Sequence, residues 1–113
     1  MGYHLAKIKG KLKLKRGQCG YLITAFNPMD EVLPLYKNKS RQLRLKKILK
    51  NSTSYQVGNN FHFEEMLLTH NQTIVIRLMR LFNQRAIFKV TMLNNTITRQ
   101  IIWSKYDISC ERE

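Results

Sequence analysis

The chain has 113 residues, which is the length of one domain and leaves no room for a second hydrophobic core. With 20 Lys and Arg against 7 Asp and Glu, it carries a formal net charge of +13 at pH 7. No apolar run approaches the ~18 residues that a membrane-spanning helix needs, and residues 1–20 lack the apolar stretch of a signal peptide. We therefore expect no membrane association and a cytoplasmic location, which is the host cytoplasm if a phage encodes the protein.

The positive charge is concentrated in the first half of the chain. Residues 1–50 hold 13 Lys and Arg with two acidic residues, whereas residues 51–113 hold 7 basic and 5 acidic residues. A field of this size attracts polyanions and accelerates their association. We expect nucleic acid or another phosphate-bearing ligand as the partner, with an acidic host protein as the alternative. The sequence does not determine the oligomeric state.

Residues 7–15 alternate lysine with small or apolar residues, which is the period of a strand. The lysines are Lys7, Lys9, Lys11, Lys13 and Lys15. Three interpretations fit this lysine-rich strand or arm, which we place within residues 1–19. A row of cations can follow a phosphate backbone. Exposed lysines can also protect the edge of a sheet from aggregation, or a basic arm can stay disordered until it meets a polyanion.

An apolar strand is predicted over residues 21–26, and it ends at Asn27-Pro28 because proline cannot donate to a ladder. Asn27 is placed to cap the backbone amides of the turn that follows. From about residue 34 to residue 50 the spacing predicts a helix with one apolar face. That face carries Leu35, Asn38, Gln42, Leu45 and Leu49. Flanking cations complete our candidates for nucleic-acid binding, which beside the five lysines are Arg16, Lys37, Arg41, Arg44 and Lys47.

The second half of the chain alternates strand and helix signals. Strands are predicted over residues 55–57, 61–69, 86–93 and 96–103, and a helix over 73–85. Asn71 is placed to cap this helix, and Asn94-Asn95 to form a two-residue hairpin turn. The predicted fold is a single basic α+β domain over residues 1–113, with one small sheet, two helices and a C-terminal β-hairpin.

A second pattern joins residues 24–28, Thr-Ala-Phe-Asn-Pro, to an asparagine at 38 and to residues 82–86, Phe-Asn-Gln-Arg-Ala. With Leu45 and Leu49, and an acidic position at residue 64 or 65, this pattern resembles a small family of bacterial and phage proteins. That family is classed only as a domain of unknown function (domain-of-unknown-function family 3293). The resemblance covers roughly residues 20–90. It implies a fold and a polar site, and no established chemistry.

The polar residues of this pattern suggest a ligand pocket. Its candidates are Thr24, Asn27, Asn38, Gln84 and one of two neighbouring carboxylates, Glu65 or Glu64. Asparagine and glutamine are suited to reading the edge of a nucleobase. The alternative is that Asn27 is a helix cap and Asn38 belongs to a satisfied network in the core.

Catalytic machinery is sparse in the sequence. His62-x-Glu64 lacks the Pro-Cys-x-x-Cys segment that zinc deaminases require. The sequence also shows no Gly-rich phosphate loop, no Ser-His-Asp order and no Cys-His pair, so we expect no metal, no cofactor and no catalytic residue. A small ribonuclease toxin that works without metal is an alternative, because such sites need only a few general acid–base and phosphate-stabilising groups. The candidates for those roles are His4, His62, His70, Arg77 and Arg80.

The sequence thus favours a non-catalytic accessory protein that binds nucleic acid or a nucleotide. Its bacterial or phage type, and a role in phage–host conflict, follow from the resemblance alone. The alternatives are the ribonuclease toxin and a protein that binds and inhibits a host enzyme.

Overall fold

The computed structural model describes residues 6–59 and 62–104. In these ranges the chain forms one curled, antiparallel sheet and two helices, which confirms the predicted α+β class. The strands are β1 (Lys7–Ile8), β2 (Cys19–Ile23), β3 (Thr53–Asn59), β4 (His62–Thr69), β5 (Ala86–Leu93) and β6 (Thr96–Trp103), and the helices are α1 (Leu35–Ile48) and α2 (Gln72–Leu81). The strand order is β1-β3-β4-β2-β5-β6. Neither helix of this described part is long and apolar enough to cross a membrane.

Local signals in the second half of the chain are confirmed for the hairpin and for the start of α2, whereas α2 ends at Leu81 and not at the predicted residue 85. The hairpin of β5 and β6 begins and ends at the predicted residues, and Asn94 in its turn has the positive φ, 54°, that a two-residue hairpin favours. Asn71 caps α2, because its Oδ1 accepts a hydrogen bond of 3.0 Å from the Ile74 amide.

Apolar side chains cover both faces of the central strands. On one face, helices α1 and α2 pack against the sheet in what we call the first cluster, which includes Ile23, Leu45, Leu67, Val75 and Phe82. On the other face lies the second cluster, which includes Leu12, Leu14, Leu22, Met66 and Phe88. Because successive strand residues point to opposite faces, the apolar run of β2 serves both clusters.

The strand predicted over residues 7–15 is wrong beyond Ile8. Lys7 and Ile8 pair with Gly58 and Val57 of β3. Gly10 then adopts a φ of 84°, a conformation that is easy only for glycine, and it turns the chain out of the ladder. Leu12 and Leu14 enter the second cluster while all five lysines stay exposed. Residues 6–15 are therefore a packed cover over the second face of the sheet.

A contact across this second face shows how strongly the sheet curls. Arg99 of β6 donates from Nη1 to the carbonyl of Ala6, which precedes β1. The same guanidinium lies 5.3 Å from the centre of the Phe88 ring. The two edge strands are thus linked over the second cluster.

The buried face of α1 begins later along the helix than the spacing of its apolar residues predicts. Leu45 is fully buried and Leu49 nearly so, but Leu35 is 60% exposed. Leu35 is the first residue of α1, and the first buried position of the helix is Asn38, one turn further on. The predicted place of Leu35 on the buried face is wrong, because the first turn extends past the packed surface.

Substitution of Leu45 and Leu35 by alanine tests this packing. We expect Leu45→Ala to lower the free energy of unfolding by about 2–5 kcal/mol, since it leaves a cavity in the first cluster. Leu35→Ala makes the same chemical change at an exposed site and should cost less than about 0.5 kcal/mol. Urea unfolding followed by circular dichroism measures both values. Equal losses would contradict the described packing of α1.

Candidate functional site

The segment of residues 24–34, which we call the 24–34 loop, has a costly backbone. Three of its residues, none of them glycine, adopt left-handed conformations: Asn27 with φ 46°, Met29 with φ 48° and Asp30 with φ 62°. Asparagine and aspartate tolerate this region better than methionine does, but each such residue still needs its surroundings to hold it. The loop must therefore be fixed by contacts from outside it.

Asn38 of α1 supplies the first of these contacts. Its Oδ1 accepts from the Asn27 amide at 2.9 Å, and its Nδ2 donates to Asn27 Oδ1 at 2.8 Å. Asn27 Oδ1 also accepts from the Leu33 amide at 3.0 Å, so it closes the loop on itself. The prediction that Asn27 is a helix cap is wrong, because its left-handed backbone directs the side chain to Asn38 and Leu33. Asn38 is the satisfied core amide of the alternative interpretation.

Gln42, one turn along α1, fixes the beginning of the loop. Its Oε1 accepts from the Ala25 amide at 2.9 Å and from Thr24 Oγ1 at 3.2 Å. Its Nε2 donates to the Glu65 carbonyl at 3.0 Å. The helical wheel placed Gln42 on the buried face, but no feature of the sequence identified its partners.

Arg41 is a structural cation. Its Nε donates to the Ala25 carbonyl at 2.7 Å and its Nη2 to the Phe82 carbonyl, at the C-terminal end of α2 where carbonyls carry partial negative charge. Burial lowers the pKa of the Arg41 guanidinium, and the nearby charge of Arg44 lowers that pKa further. The group still stays protonated at neutral pH. Unlike the exposed Lys37, Arg44 and Lys47, Arg41 is committed to the fold.

A pocket of about 290 Å³ lies where the 24–34 loop meets the first residues of β4 and β5. Three of the predicted pocket residues, Thr24, Asn27 and Gln84, line it. Asn38 does not, and it supports Asn27 instead. Glu65 is also absent from the lining, and Glu64 takes its place.

Strand alternation explains why Glu64 and not Glu65 reaches the pocket. Glu64 shares a face of β4 with Met66 of the second cluster, while Glu65 shares the opposite face with Leu67 of the first cluster. There the Glu65 carboxylate faces α1, and its Oε1 lies 2.9 Å from Lys46 Nζ. Of the two carboxylates that the sequence left open, Glu64 therefore lines the pocket and Glu65 does not.

Two buried acceptor atoms are the distinctive chemistry of this pocket. Glu64 is 8% exposed, and its Oε2 accepts from Asn27 Nδ2 at 3.2 Å and lies 3.2 Å from His62 Nε2. Gln84 is 6% exposed, and its Nε2 donates to the Phe26 carbonyl at 2.9 Å. Within residues 6–59 and 62–104, neither Glu64 Oε1 nor Gln84 Oε1 has a donor. Buried acceptors without partners are costly, so these atoms are available to a ligand.

The groups expected of a ribonuclease do not converge here. His62 lies at the pocket with Glu64, but the pocket lining includes neither Arg77 nor Arg80, both of which are exposed on α2. His70 lies elsewhere, with its Nδ1 3.2 Å from the Cys19 carbonyl. His4 falls outside the described residues. The described part also holds no group of three His, Cys, Asp or Glu that could bind a metal ion.

A second, basic pocket of about 250 Å³ lies at the other end of β4. Lys13, Lys50 and His70 line it, together with Thr53 and Thr69. Lys13 comes from the cover of the second face, and Lys50 follows α1 on the first face. This pocket is therefore the place where the two cationic parts of the chain meet.

Comparisons of the chain with protein-family models, with curated proteins and with solved structures found no match. The family resemblance of residues 20–90 accordingly stays a hypothesis. The functional argument depends on the contacts and charges described above.

Replacement of Asn38 by leucine tests the support of the 24–34 loop. The change removes the acceptor of the Asn27 amide and the two hydrogen bonds that Asn38 Nδ2 donates, to Asn27 Oδ1 and to the Leu33 carbonyl. We therefore expect a loss of about 1–3 kcal/mol in the free energy of unfolding. Ser40→Leu, at an exposed position of the same helix, is the matched control and should be nearly neutral. Urea unfolding measures both. Unchanged stability in Asn38→Leu would show that the Asn27 contacts do not hold the loop.

Incubation of the purified protein with labelled total RNA tests for catalysis. We expect intact RNA with and without a chelator, because the His62–Glu64 pair has no described cation beside it to stabilise a phosphorane-like charge. Gel electrophoresis of the RNA gives the readout. Cleavage that persists in chelator and disappears in His62→Ala would favour the ribonuclease toxin.

Proposed function

We propose that the protein binds nucleic acid as a non-catalytic accessory protein, through a cationic surface built from two parts of the chain. The first part is the cover of the second face with its five lysines. The second is the exposed side and C-terminal end of α1. The surface comprises Lys7, Lys9, Lys11, Lys13, Lys15, Arg16, Lys37, Arg44, Lys47 and Lys50.

The observation that supports this proposal most directly is that the five lysines are exposed and form no ion pairs with other residues of the described chain. Leu12 and Leu14, which alternate with the lysines, are buried in the second cluster. The backbone that carries the cations is thus already ordered, and binding of phosphates does not have to order it.

The described acidic residues do not neutralise this surface. Glu65 pairs with Lys46, Glu64 lies beside His62, Asp30 pairs with Arg85, and Glu31 forms no ion pair within the described residues. An unneutralised row of cations releases condensed counterions when it meets a phosphate backbone, which is the main source of sequence-independent affinity. Lys13 and Lys50 line the same basic pocket, so the two parts of the proposed surface meet there.

The biological setting belongs to the proposal as well. The resemblance of residues 24–28 and 82–86 to the family named above supports a bacterial or phage origin and a role in phage–host conflict, and the sequence composition supports a cytoplasmic location. An acidic protein surface is the alternative partner for the same cations. If the protein keeps an acidic protein partner when nucleic acid is added, this alternative is favoured.

Salt dependence of binding tests the cationic surface. We expect affinity for a labelled single-stranded RNA, measured by fluorescence anisotropy between about 50 and 200 mM salt, to fall linearly on a log–log plot. Lys13→Gln with Lys50→Gln should flatten the slope by about one to two units, since two phosphate contacts are lost. Arg77→Gln with Arg80→Gln removes the same charge from α2 and should leave the slope unchanged.

Two results would contradict the proposal. If both double variants flatten the slope equally, net charge and not this surface governs binding. If the wild-type protein binds neither single-stranded RNA nor duplex DNA at the lowest salt, nucleic acid is not the partner.

A further inference from the structure

Phosphate binding leaves one feature of the molecule unexplained, namely the acceptor-lined pocket at the 24–34 loop. A strongly basic protein here buries one carboxylate oxygen, Glu64 Oε1, and one carboxamide oxygen, Gln84 Oε1, neither of which has a donor from the described chain. We propose that this pocket binds the base of a guanosine nucleotide in the bound nucleic acid, with Glu64 and Gln84 accepting from the N1–H and 2-amino groups. The inference rests on the proposed function and adds base recognition to it.

The pocket is organised before any ligand arrives. Asn27 Nδ2 holds Glu64 Oε2, and Asn38 holds Asn27 through two hydrogen bonds. The Gln84 carboxamide is fixed through its Nε2 on the Phe26 carbonyl. The free Oε1 atoms of Glu64 and Gln84 are thus held in place by contacts on their other atoms. A ligand that supplies donors to both gains hydrogen bonds at little ordering cost.

Guanine is the base whose donors fit these acceptors. It presents N1–H and the 2-amino group side by side, so it offers donors and no acceptor at these adjacent positions. Adenine and cytosine place an acceptor ring nitrogen beside their amino group, and uracil has a single N–H between two carbonyls. A base that brings an acceptor against Glu64 Oε1 or Gln84 Oε1 leaves that oxygen unpaired, and this is a strong basis for discrimination.

Charge and shape favour a base over a cationic side chain. An arginine side chain offers similar donors, but it brings no phosphate for the cationic surface to bind. A nucleotide brings a neutral base together with phosphates that the cationic surface attracts. Val32, Met66 and Ala86 add apolar lining that can contact the flat faces of a base.

Titration of the wild-type protein with guanosine and with inosine, followed by NMR, tests the pocket directly. Inosine lacks only the 2-amino group, and neither nucleoside carries a phosphate. In parallel, oligouridine RNAs with one central guanosine, inosine or adenosine are compared by anisotropy. In both experiments, we expect the affinity for guanosine to exceed that for inosine by about 5- to 100-fold.

Glu64→Gln and Glu65→Gln are the matched variants. They make the same change at adjacent residues on opposite faces of β4. We expect Glu64→Gln to lose the preference for guanosine and to keep the salt slope on oligouridine, because the new amide N–H opposes the donors of the base. Glu65→Gln should keep both properties.

The outcomes separate this inference from the proposed function. Equal binding of guanosine and inosine overturns the pocket assignment, whether or not Glu64→Gln folds, and salt-dependent binding of oligouridine would then still support the cationic surface. If no RNA binds, the proposed function fails, and the nucleoside titration still decides the pocket. Binding of arginine amide at the pocket residues, in a titration where guanosine does not bind, would assign the pocket to a cationic side chain and overturn the inference.

Discussion

The hydrogen-bonded pair of Asn27 and Asn38 is the interaction on which the candidate site depends. Asn27 has an unfavourable left-handed backbone, and both ends of the Asn38 carboxamide bind it in that conformation. Asn27 in turn orients the Glu64 carboxylate. Because the helix that carries Asn38 is anchored by the buried Leu45, the position of a polar group in the pocket is determined by packing in the first cluster.

Several polar and charged residues of α1 divide into two groups in the structure: those bonded within the fold and those left exposed. Arg41 and Gln42 lie beside each other in α1, and both form hydrogen bonds with backbone groups outside the helix; Gln42 also accepts from the Thr24 hydroxyl. Lys37 and Lys47 are on the same helix and remain exposed. What separates the two groups is whether a carbonyl or amide in need of a partner lies within reach, which composition does not reveal.

The sequence predicted those features that local chemistry determines. Period-two patterns and an Asn-Asn turn were sufficient for the hairpin of β5 and β6, and a single asparagine was sufficient for the start of α2. The helical wheel placed Asn38 on the buried face. The pattern could not show whether Glu64 or Glu65 faces the pocket, because alternation separates the two but does not say which face the helices cover. The left-handed conformation of Asn27 and the turn at Gly10 depend on tertiary contacts, so the sequence pattern could not predict them either.

The cover formed by residues 6–15 has a thermodynamic consequence. Leu12 and Leu14 belong to the second cluster, so folding of the sheet also fixes the positions of the lysines that alternate with them. Holding like charges at fixed positions works against folding, and a polyanion relieves that repulsion. A ligand that binds only the folded arrangement also stabilises it by mass action, by about 2.7 kcal/mol at a hundredfold excess over its Kd. Under the proposed function, the segment that provides charge to the polyanion is itself stabilised by it, and the protein would then resist unfolding most where that polyanion is abundant.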